Sequence, residues 1–180
     1  MKNIIYVLCL LLLGINMTNA DLDQKNTVIM KLEYGDVVIK LRPDLAPNHV
    51  ERIKTLTKEG FYDNIVFHRV IDGFMAQTGD PTGTGMGGSK LPNLKAEFSN
   101  KPFKRGVLGM ARSSNPDSAN SQFFIMFKDG DFLNGEYTVF GEVTSGMEFV
   151  DNIAKGEPPR NPDKIISMKI QEKINLINQE

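Results

Sequence analysis

The sequence predicts a mainly β protein, a closed or nearly closed antiparallel barrel with helices at its ends. Most of the chain between residues 27 and 173 divides into short runs rich in β-branched and aromatic residues, which are typical of strands. Only two segments repeat their apolar residues with the period of a helix. Strands and helices do not alternate, which argues against a parallel α/β sheet. At 180 residues, the chain has the length of one domain with a substantial core.

The first two predicted strands form a hairpin. Residues 27–33 and 37–42 are rich in valine, isoleucine and leucine, which suit a half-buried strand. Tyr34-Gly35-Asp36 between them contains the glycine and the aspartate that tight turns favour.

The next segment, residues 46–59, changes to the period of a helix. Its apolar residues fall on one stripe: Val50, Ile53 and Leu56. Asp44 stands just ahead as a candidate cap, Pro47 fits the first turn, and Gly60 is typical of a helix end. We therefore expect one helix between the second and third strands.

The remaining strands are predicted at intervals along the chain. They are residues 66–70, 74–78, 106–111, 122–127, 138–143 and 165–173. Residues 79–95 contain five glycines and are predicted to form a loop. Residues 146–155 predict a second, short helix with Met147, Val150 and Ile153 on one side. Residues 156–162 form a proline-rich connection.

The first 20 residues have the layout of a secretory signal peptide. Lys2 supplies a positive start, residues 4–15 are apolar apart from the Tyr6 hydroxyl, and Thr18-Asn19-Ala20 offers small residues for a signal peptidase. An uncleaved membrane anchor is the alternative, but a run this short falls below the roughly 20 residues that span a bilayer. We expect cleavage after Ala20, so that residues 21–180 form a single domain that is periplasmic or secreted.

Composition restricts the partners and the chemistry. Cys9 is the only cysteine and lies in the expected signal peptide, so thiol catalysis and disulfides are excluded from the exported chain. The formal net charge of −1 gives no attraction to nucleic acid or to an anionic membrane. We therefore expect no binding of nucleic acid and no stable membrane association after cleavage. A monomer is also expected, although composition does not determine the oligomeric state.

The two histidines, His49 and His68, do not indicate a metal site or a hydrolase. His49 has no second histidine three or four residues away to form a zinc pair. His68 as a base for a serine would require a nucleophile-elbow pattern, which surrounds none of Ser113, Ser114 and Ser121. We expect neither a metal nor a cofactor.

Residues 83–90 resemble a phosphate-binding loop only superficially. Such a loop ends in Gly-Lys followed by serine or threonine, whereas here Ser89 precedes Lys90. No helical pattern follows before Pro92, so the lysine would not lie at the start of a helix. A surface loop is the simpler interpretation.

Three segments carry the most distinctive chemistry. Residues 67–80 (FHRVIDGFMAQTGD) combine a fixed cation, aromatic rings, a thioether and an amide without a nucleophile–base pair. Residues 107–112 (VLGMAR) and 121–125 (SQFFI) follow. In order and spacing, all three resemble the signature segments of cyclophilins, the cyclosporin-type peptidyl-prolyl isomerases. The resemblance covers roughly residues 27–172 and implies a closed eight-stranded antiparallel barrel capped by two α-helices.

Isomerisation of an X-Pro bond suits these residues on physical grounds. Twisting a peptide bond destroys amide resonance, against a barrier of about 18–20 kcal/mol. The proline nitrogen then regains a basic lone pair, so a cationic donor stabilises the twisted amide more than the planar one. Arg69 is the candidate because guanidinium stays protonated and offers a fixed fork of donors.

The resemblance assigns further residues to the site. Gln77 would hydrogen-bond the substrate backbone, and His68, which lies beside Arg69, would support the site. The implied substrate-binding residues are Phe74, Met75, Ala111, Arg112, Gln122, Phe124, Phe132, Leu133 and Tyr137. Within this set an apolar pocket holds the proline ring (Phe74, Met75, Phe124 and Leu133), the Arg112 main chain holds the peptide, and Phe132 and Tyr137 form the rim. Taken singly, the apolar members would be core residues and the polar ones surface side chains.

Three positions depart from many eukaryotic cyclophilins. Phe132 stands where those members carry Trp, Tyr137 where they carry His, and Arg112 where they often carry Asn. Phe132 lacks the indole N–H, so we expect cyclosporin to bind weakly if at all. Together with the short loops, these three residues make the sequence look more like a bacterial exported cyclophilin.

The predicted function is a peptidyl-prolyl isomerase that acts on proline-containing polypeptides and assists the folding of exported proteins. The alternative from another class is a peptide-binding module that uses the same groove with incidental turnover. The complete set of Arg69, Phe74, Gln77 and Phe124 favours the enzyme. An α/β phosphate-binding protein is opposed by the reversed Ser89-Lys90 order and by the lack of strand–helix alternation.

Overall fold

Eight strands form one antiparallel sheet in the computed structural model, which describes residues 24–171. The strands are β1 Thr27–Leu32, β2 Gly35–Leu41, β3 Arg69–Ile71, β4 Met75–Thr78, β5 Val107–Met110, β6 Phe123–Met126, β7 Val139–Ser145 and β8 Ser167–Ile170. The α-helices with both ends inside residues 24–171 are α1 Pro47–Lys58 and α2 Met147–Asp151, and short 3₁₀ turns occur at Pro116–Ser118 and Asp131–Leu133. The predicted signal peptide and the end of the eighth predicted strand lie outside the described residues.

The prediction of a closed barrel was wrong, because the sheet is an open half-barrel. The strand order is β3-β4-β6-β5-β7-β2-β1-β8, with every pair antiparallel. Within residues 24–171, no ladder joins β3 to β8, and isolated bridges at Val66–Lys164 and Val70–Gly156 connect the β3 side to the segment that precedes β8. The connecting segment carries Pro158, Pro159 and Pro162, which have no N–H to donate to a ladder.

The β1–β2 hairpin shows why the register is well defined. Val28 and Met30 face the core from β1 and pair with Ile39 and Val37 of β2, all of them fully buried. A slip of one residue would turn these side chains to the solvent. Gly35 at the turn leaves room for a ring of α2, because a side chain there would overlap Phe149.

The start and the end of helix α1 lie where they were predicted, but the capping residue does not. Pro47 occupies the first turn, and Gly60 follows the helix with a φ of +69°. The prediction that Asp44 caps the helix was wrong, because its carboxylate pairs with the Arg42 guanidinium at 2.7 Å. The cap residue, Ala46, has no side chain that could hydrogen-bond the helix.

A distant carboxylate replaces the missing cap. Glu97 accepts hydrogen bonds from the backbone N–H groups of Asn48 at 3.2 Å and His49 at 3.1 Å. Its Oε2 also lies 2.6 Å from the His49 Nδ1. The negative charge of Glu97 at the start of the helix interacts favourably with the positive end of the helix macrodipole. The loop that contains Glu97 is thereby attached to α1.

Two buried clusters fill the half-barrel. The larger one packs the α1 stripe of Val50, Ile53 and Leu56 against the sheet. The smaller one lies beneath the site described below and consists of Met75, Phe103, Val107, Phe124, Met126, Leu133 and Val139. β5 and β6 are buried on both faces, so the site rests on a closely packed part of the sheet. No helix within residues 24–171 has the length and apolar character needed to cross a membrane.

Candidate active site

A cavity of about 280 Å³ opens above β3, β4 and β6. It is lined by Arg69, Phe74, Met75, Gln77, Ala111, Arg112, Phe124, Phe132, Leu133 and Tyr137. The structure therefore brings ten of the twelve predicted site residues around one opening, although they come from segments as far apart as residues 69 and 137. The two others, His68 and Gln122, lie next to it.

Sheet register explains why the central residues meet. Arg69 of β3 pairs with Gln77 of β4, and Gln77 pairs with Phe124 of β6. Residues directly opposite each other in an antiparallel pair project from the same face. The cation, the amide and the aromatic ring consequently form a row across three neighbouring strands.

Gly109 extends this row into β5 and is a residue that the sequence reasoning missed. It pairs with Phe124, and a side chain there would overlap the Phe124 ring and lie 2.6 Å from the Phe103 ring. The two rings stack at 5.7 Å between centroids over the vacant position. A glycine inside a strand pattern was the available signal, because it often marks such a close approach.

The floor of the cavity is apolar and buried, and its rim is exposed. Met75, Phe124 and Leu133 are each no more than 6% exposed. Phe132 is 70% exposed, and its ring lies 5.5 Å from that of Phe74. This arrangement can enclose a small apolar ring while the rest of a peptide remains in solvent.

Arg69 stands at the edge of this floor and is held by two side chains. Its Nε donates to Glu157 Oε2 at 2.7 Å, and its Nη1 donates to Gln77 Oε1 at 3.5 Å. Gln77 Nε2 in turn donates to Gln122 Oε1 at 2.9 Å. Glu157 was not predicted, and 88 residues separate it from Arg69.

Gln122 belongs to a second cavity of about 420 Å³ that adjoins the first. Gln77, Ala111 and Arg112 line both cavities. The far wall is the glycine-rich loop, and Gln122 Nε2 donates to the carbonyls of Gly85 at 3.0 Å and Gly87 at 2.8 Å. A polypeptide could thus extend from the apolar cavity into a second, more polar one.

The glycine-rich loop is organised around the buried carboxylate of Asp80. It accepts backbone hydrogen bonds from Thr82 at 2.8 Å, Gly85 at 2.6 Å and Gly87 at 3.1 Å. Burial acts to raise the pKa of Asp80, but these donors prevail and lower it to about 2. The loop therefore has a defined shape, and its backbone N–H groups bind a carboxylate of this same chain.

His68 does not line the cavity. It is 7% exposed, and neither ring nitrogen has a hydrogen-bond partner within residues 24–171. A side chain at Gly85 would contact its ring, so His68 lies beneath the glycine-rich loop. Burial lowers the pKa of His68, although the Asp80 charge acts in the opposite direction, and the neutral form predominates near pH 7. Its place is under the glycine-rich loop rather than at the opening, and it makes no hydrogen bond to Arg69 within residues 24–171.

The Arg112 side chain is folded back against the rim. Its Nη2 donates to the Glu136 carbonyl at 2.9 Å, and its Nη1 donates to the Ser113 carbonyl at 2.9 Å. The guanidinium lies 4.5 Å from the centre of the Tyr137 ring, within the range of a cation–π contact. The guanidinium is thus engaged by groups of the rim, and Arg112 lines both cavities.

Comparisons with known proteins agree with this geometry. The family model described as cyclophilin type peptidyl-prolyl cis-trans isomerase/CLD matches residues 27–170. A Brucella suis protein named "Probable peptidyl-prolyl cis-trans isomerase" is 55% identical over 175 residues, covering 88% of this chain and 89% of the relative. Peptidyl-prolyl cis-trans isomerase B of Bacillus subtilis is 44% identical over 129 residues, covering 70% of this chain and 89% of the relative.

A solved structure shares the fold as well. The crystal structure of a Cryptosporidium parvum cyclophilin type peptidyl-prolyl cis-trans isomerase, determined in the presence of the dipeptide Ala-Pro, superposes with a TM-score of 0.75 and 32% identity. The superposition covers 82% of this chain and 99% of the Cryptosporidium parvum chain. The resemblance seen in the three sequence segments is confirmed: the chain belongs to the cyclophilin-type peptidyl-prolyl cis-trans isomerases, enzymes that interconvert the cis and trans forms of X-Pro peptide bonds.

Proposed function

We propose that Arg69 is the group of this isomerase that stabilises the twisted X-Pro amide. The observation that carries the proposal is a guanidinium at the edge of a cavity that has a buried, apolar floor and is large enough for a proline ring. With the ring on Met75, Phe124 and Leu133, the proline nitrogen would face the cation. The Arg69 charge then favours the pyramidal nitrogen over the planar amide.

Magnitudes are consistent with a single donor. A barrier near 20 kcal/mol corresponds to roughly 0.01 per second, and about 10 per second requires only about 4 kcal/mol of stabilisation. One well-placed donor in a partly dry site contributes about 3–4 kcal/mol. No covalent intermediate is needed.

The other lining residues would hold the peptide without restricting rotation about the X-Pro bond. Gln77 and the Arg112 backbone would bind the substrate main chain in an extended form, while Phe132 and Tyr137 close the rim. The apolar floor fixes the proline side of the bond. The residue before proline is then free to swing toward the second cavity, which Gln122 lines.

The test is isomerisation of a short X-Pro peptide, measured without a coupling protease, for the wild type and Arg69→Ala. We expect kcat/KM to fall at least a hundredfold, corresponding to about 3 kcal/mol, in a protein that stays folded. Arg69→Lys should restore little, because an ammonium lacks the planar fork. Arg160→Ala, which removes an exposed arginine of the proline-rich connection, is the matched control. Near-normal turnover in folded Arg69→Ala would refute the mechanism.

The same measurements separate the enzyme from a docking module. A module that binds peptides with incidental turnover would keep its peptide affinity and its biological activity in Arg69→Ala. An isomerase would keep much of the affinity, which comes from the apolar floor, and lose turnover.

The biological role that we propose is assistance to the folding of exported proteins, by a chain that is itself exported as a monomer after cleavage at Ala20. The apolar start of the sequence and the absence of cysteine after residue 20 support this location. The substrates would be proline-containing segments of incompletely folded polypeptides, because an extended backbone is needed to cross both cavities.

A further inference from the structure

Glu157 lies directly opposite Arg69 across a short backbone bridge. Val70 N–H donates to the Gly156 carbonyl at 2.8 Å, and Gly156 N–H donates to the Val70 carbonyl at 2.8 Å. In an antiparallel bridge the neighbours of the bonded pair also face each other. The proline-rich connection is thereby held beside β3, with the Glu157 carboxylate next to the guanidinium.

The contact fixes one end of the Arg69 fork. The 2.7 Å bond from Nε to Glu157 Oε2 and the 3.5 Å bond from Nη1 to Gln77 engage two of the five guanidinium N–H groups. The other three have no partner within the described part of the chain. The contacts with Glu157 and Gln77 orient the guanidinium plane, and its free donors lie at the edge of the cavity.

We propose that Glu157 is a positioning residue for Arg69. This inference rests on the role proposed for Arg69 above. A lone arginine on a short edge strand would sample many rotamers, and ordering it in the transition state would raise the barrier. Glu157 orders the side chain in the free enzyme, so that less conformational entropy is lost when the amide twists.

The carboxylate does not cancel the charge that catalysis requires. The Glu157 and Arg69 side chains are 50% and 43% exposed, so water screens their attraction. Guanidinium remains protonated in any such pair. The bond is made at Nε, which leaves the Nη2 end of the fork for the substrate.

A purely structural role for Glu157 does not account for this arrangement. Exposed ion pairs contribute little to stability. The connection is also anchored independently, because Ala154 N–H donates to the Asp163 carboxylate at 2.7 Å and Phe67 N–H donates to the Asp163 carbonyl at 2.8 Å. Removal of the Glu157 charge should leave the backbone and the melting temperature almost unchanged.

The experiment compares Glu157→Gln with the control Glu51→Gln, which removes an exposed ion-pair carboxylate from α1. We expect kcat/KM of Glu157→Gln to fall about fivefold, in kcat rather than in KM, while the control matches the wild type. Raising ionic strength from about 0.1 to about 1 M should lower wild-type kcat toward that of Glu157→Gln, which should itself respond little. The NMR signal of the Arg69 Nε–H should be protected from exchange in the wild type and lose protection in the variant.

A double-mutant cycle distinguishes the possible failures. In the Arg69→Ala background, Glu157→Gln should have no further effect, because the two residues act as one unit. The positioning role would be overturned if Glu157→Gln were as active as the control. It would also be overturned if the loss caused by Glu157→Gln persisted in the Arg69→Ala background. Either result would leave the role proposed for Arg69 standing. Full activity of Arg69→Ala would overturn the mechanism and the positioning role together.

Discussion

At the scale of single residues, the glycine in β5 shapes the floor of the cavity. Gly109 leaves the space in which the rings of Phe124 and Phe103 stack, and Phe124 forms part of the cavity floor. We predict that Gly109→Ala destabilises the fold by about 1–3 kcal/mol, the usual cost of overpacking a core. It should also lower kcat/KM, because Phe124 must tilt into the cavity. Urea unfolding and peptide isomerisation measure the two effects, and an unchanged protein in both assays would contradict this account of the floor.

Phe132 is the rim residue most open to a bulky ligand. It is 70% exposed and supports the Phe74 ring from outside. We predict weak inhibition by cyclosporin and tighter inhibition of Phe132→Trp, because indole adds an N–H donor and a larger face. Basal isomerase activity should change little, since the floor is untouched. Inhibition titrations of both proteins test this, and equal cyclosporin affinities would show that residue 132 does not control the drug.

Among the elements, the glycine-rich loop depends on ionisation of one carboxylate. The pKa of Asp80 is about 2, against 3.8 for an ordinary aspartate, so the fold favours the charged form. The ionised Asp80 carboxylate thereby contributes about 2 kcal/mol to the free energy of unfolding. This contribution is present above roughly pH 4 and is lost as the pH falls toward roughly 2. We predict that Asp80→Asn lowers the free energy of unfolding at pH 7 by about this amount. Below roughly pH 4, the free energy of unfolding measured by urea titration should fall less steeply in the variant than in the wild type, and this shallower slope is the flatter acid limb of its stability curve.

Asp36→Asn, at an exposed aspartate of β2, is the matched control for that experiment. It should leave the acid limb of the stability curve as in the wild type. If Asp80→Asn behaved in the same way as this control, the loop would not depend on the carboxylate.

Helix α1 illustrates how an element can be predicted while its cap is not. Its apolar stripe, Pro47 and Gly60 are local signals, and each was confirmed. The cap comes from Glu97, which lies 49 residues beyond Asn48. No pattern near the helix could indicate it, because the contact exists only once the loop packs against the helix start.

At the scale of the whole molecule, the predicted export remains to be measured. We predict that the protein isolated from an exporting cell begins at Asp21, because the apolar run before Ala20 is too short to span a bilayer. Intact-mass measurement decides it. A membrane-bound protein that retains residues 1–20 would favour the anchor instead. The cleaved chain has no cysteine, so its activity should be the same with and without a reductant.

The fold was predicted in its class and its elements but not in its closure. Eight antiparallel strands and two helices follow from local periodicity and turn residues, although β3 begins at Arg69 rather than at residue 66 and α2 ends at Asp151 rather than near residue 155. Whether the sheet closes depends on contacts between β3 and β8, nearly a hundred residues apart. Residues 154–166 separate these edges and prevent a continuous ladder.

The residues of the site could be named before the structure was known, but their arrangement depends on the tertiary fold. Arg69 follows from its chemistry, and Gln77 and Phe124 follow from the resemblance of three ordered segments to those of cyclophilins. The row that they form, the space left by Gly109 and the carboxylate of Glu157 depend on which strands become neighbours and in what register. Those pairings are set by burial of the whole sheet, a property of the folded chain that no short segment contains.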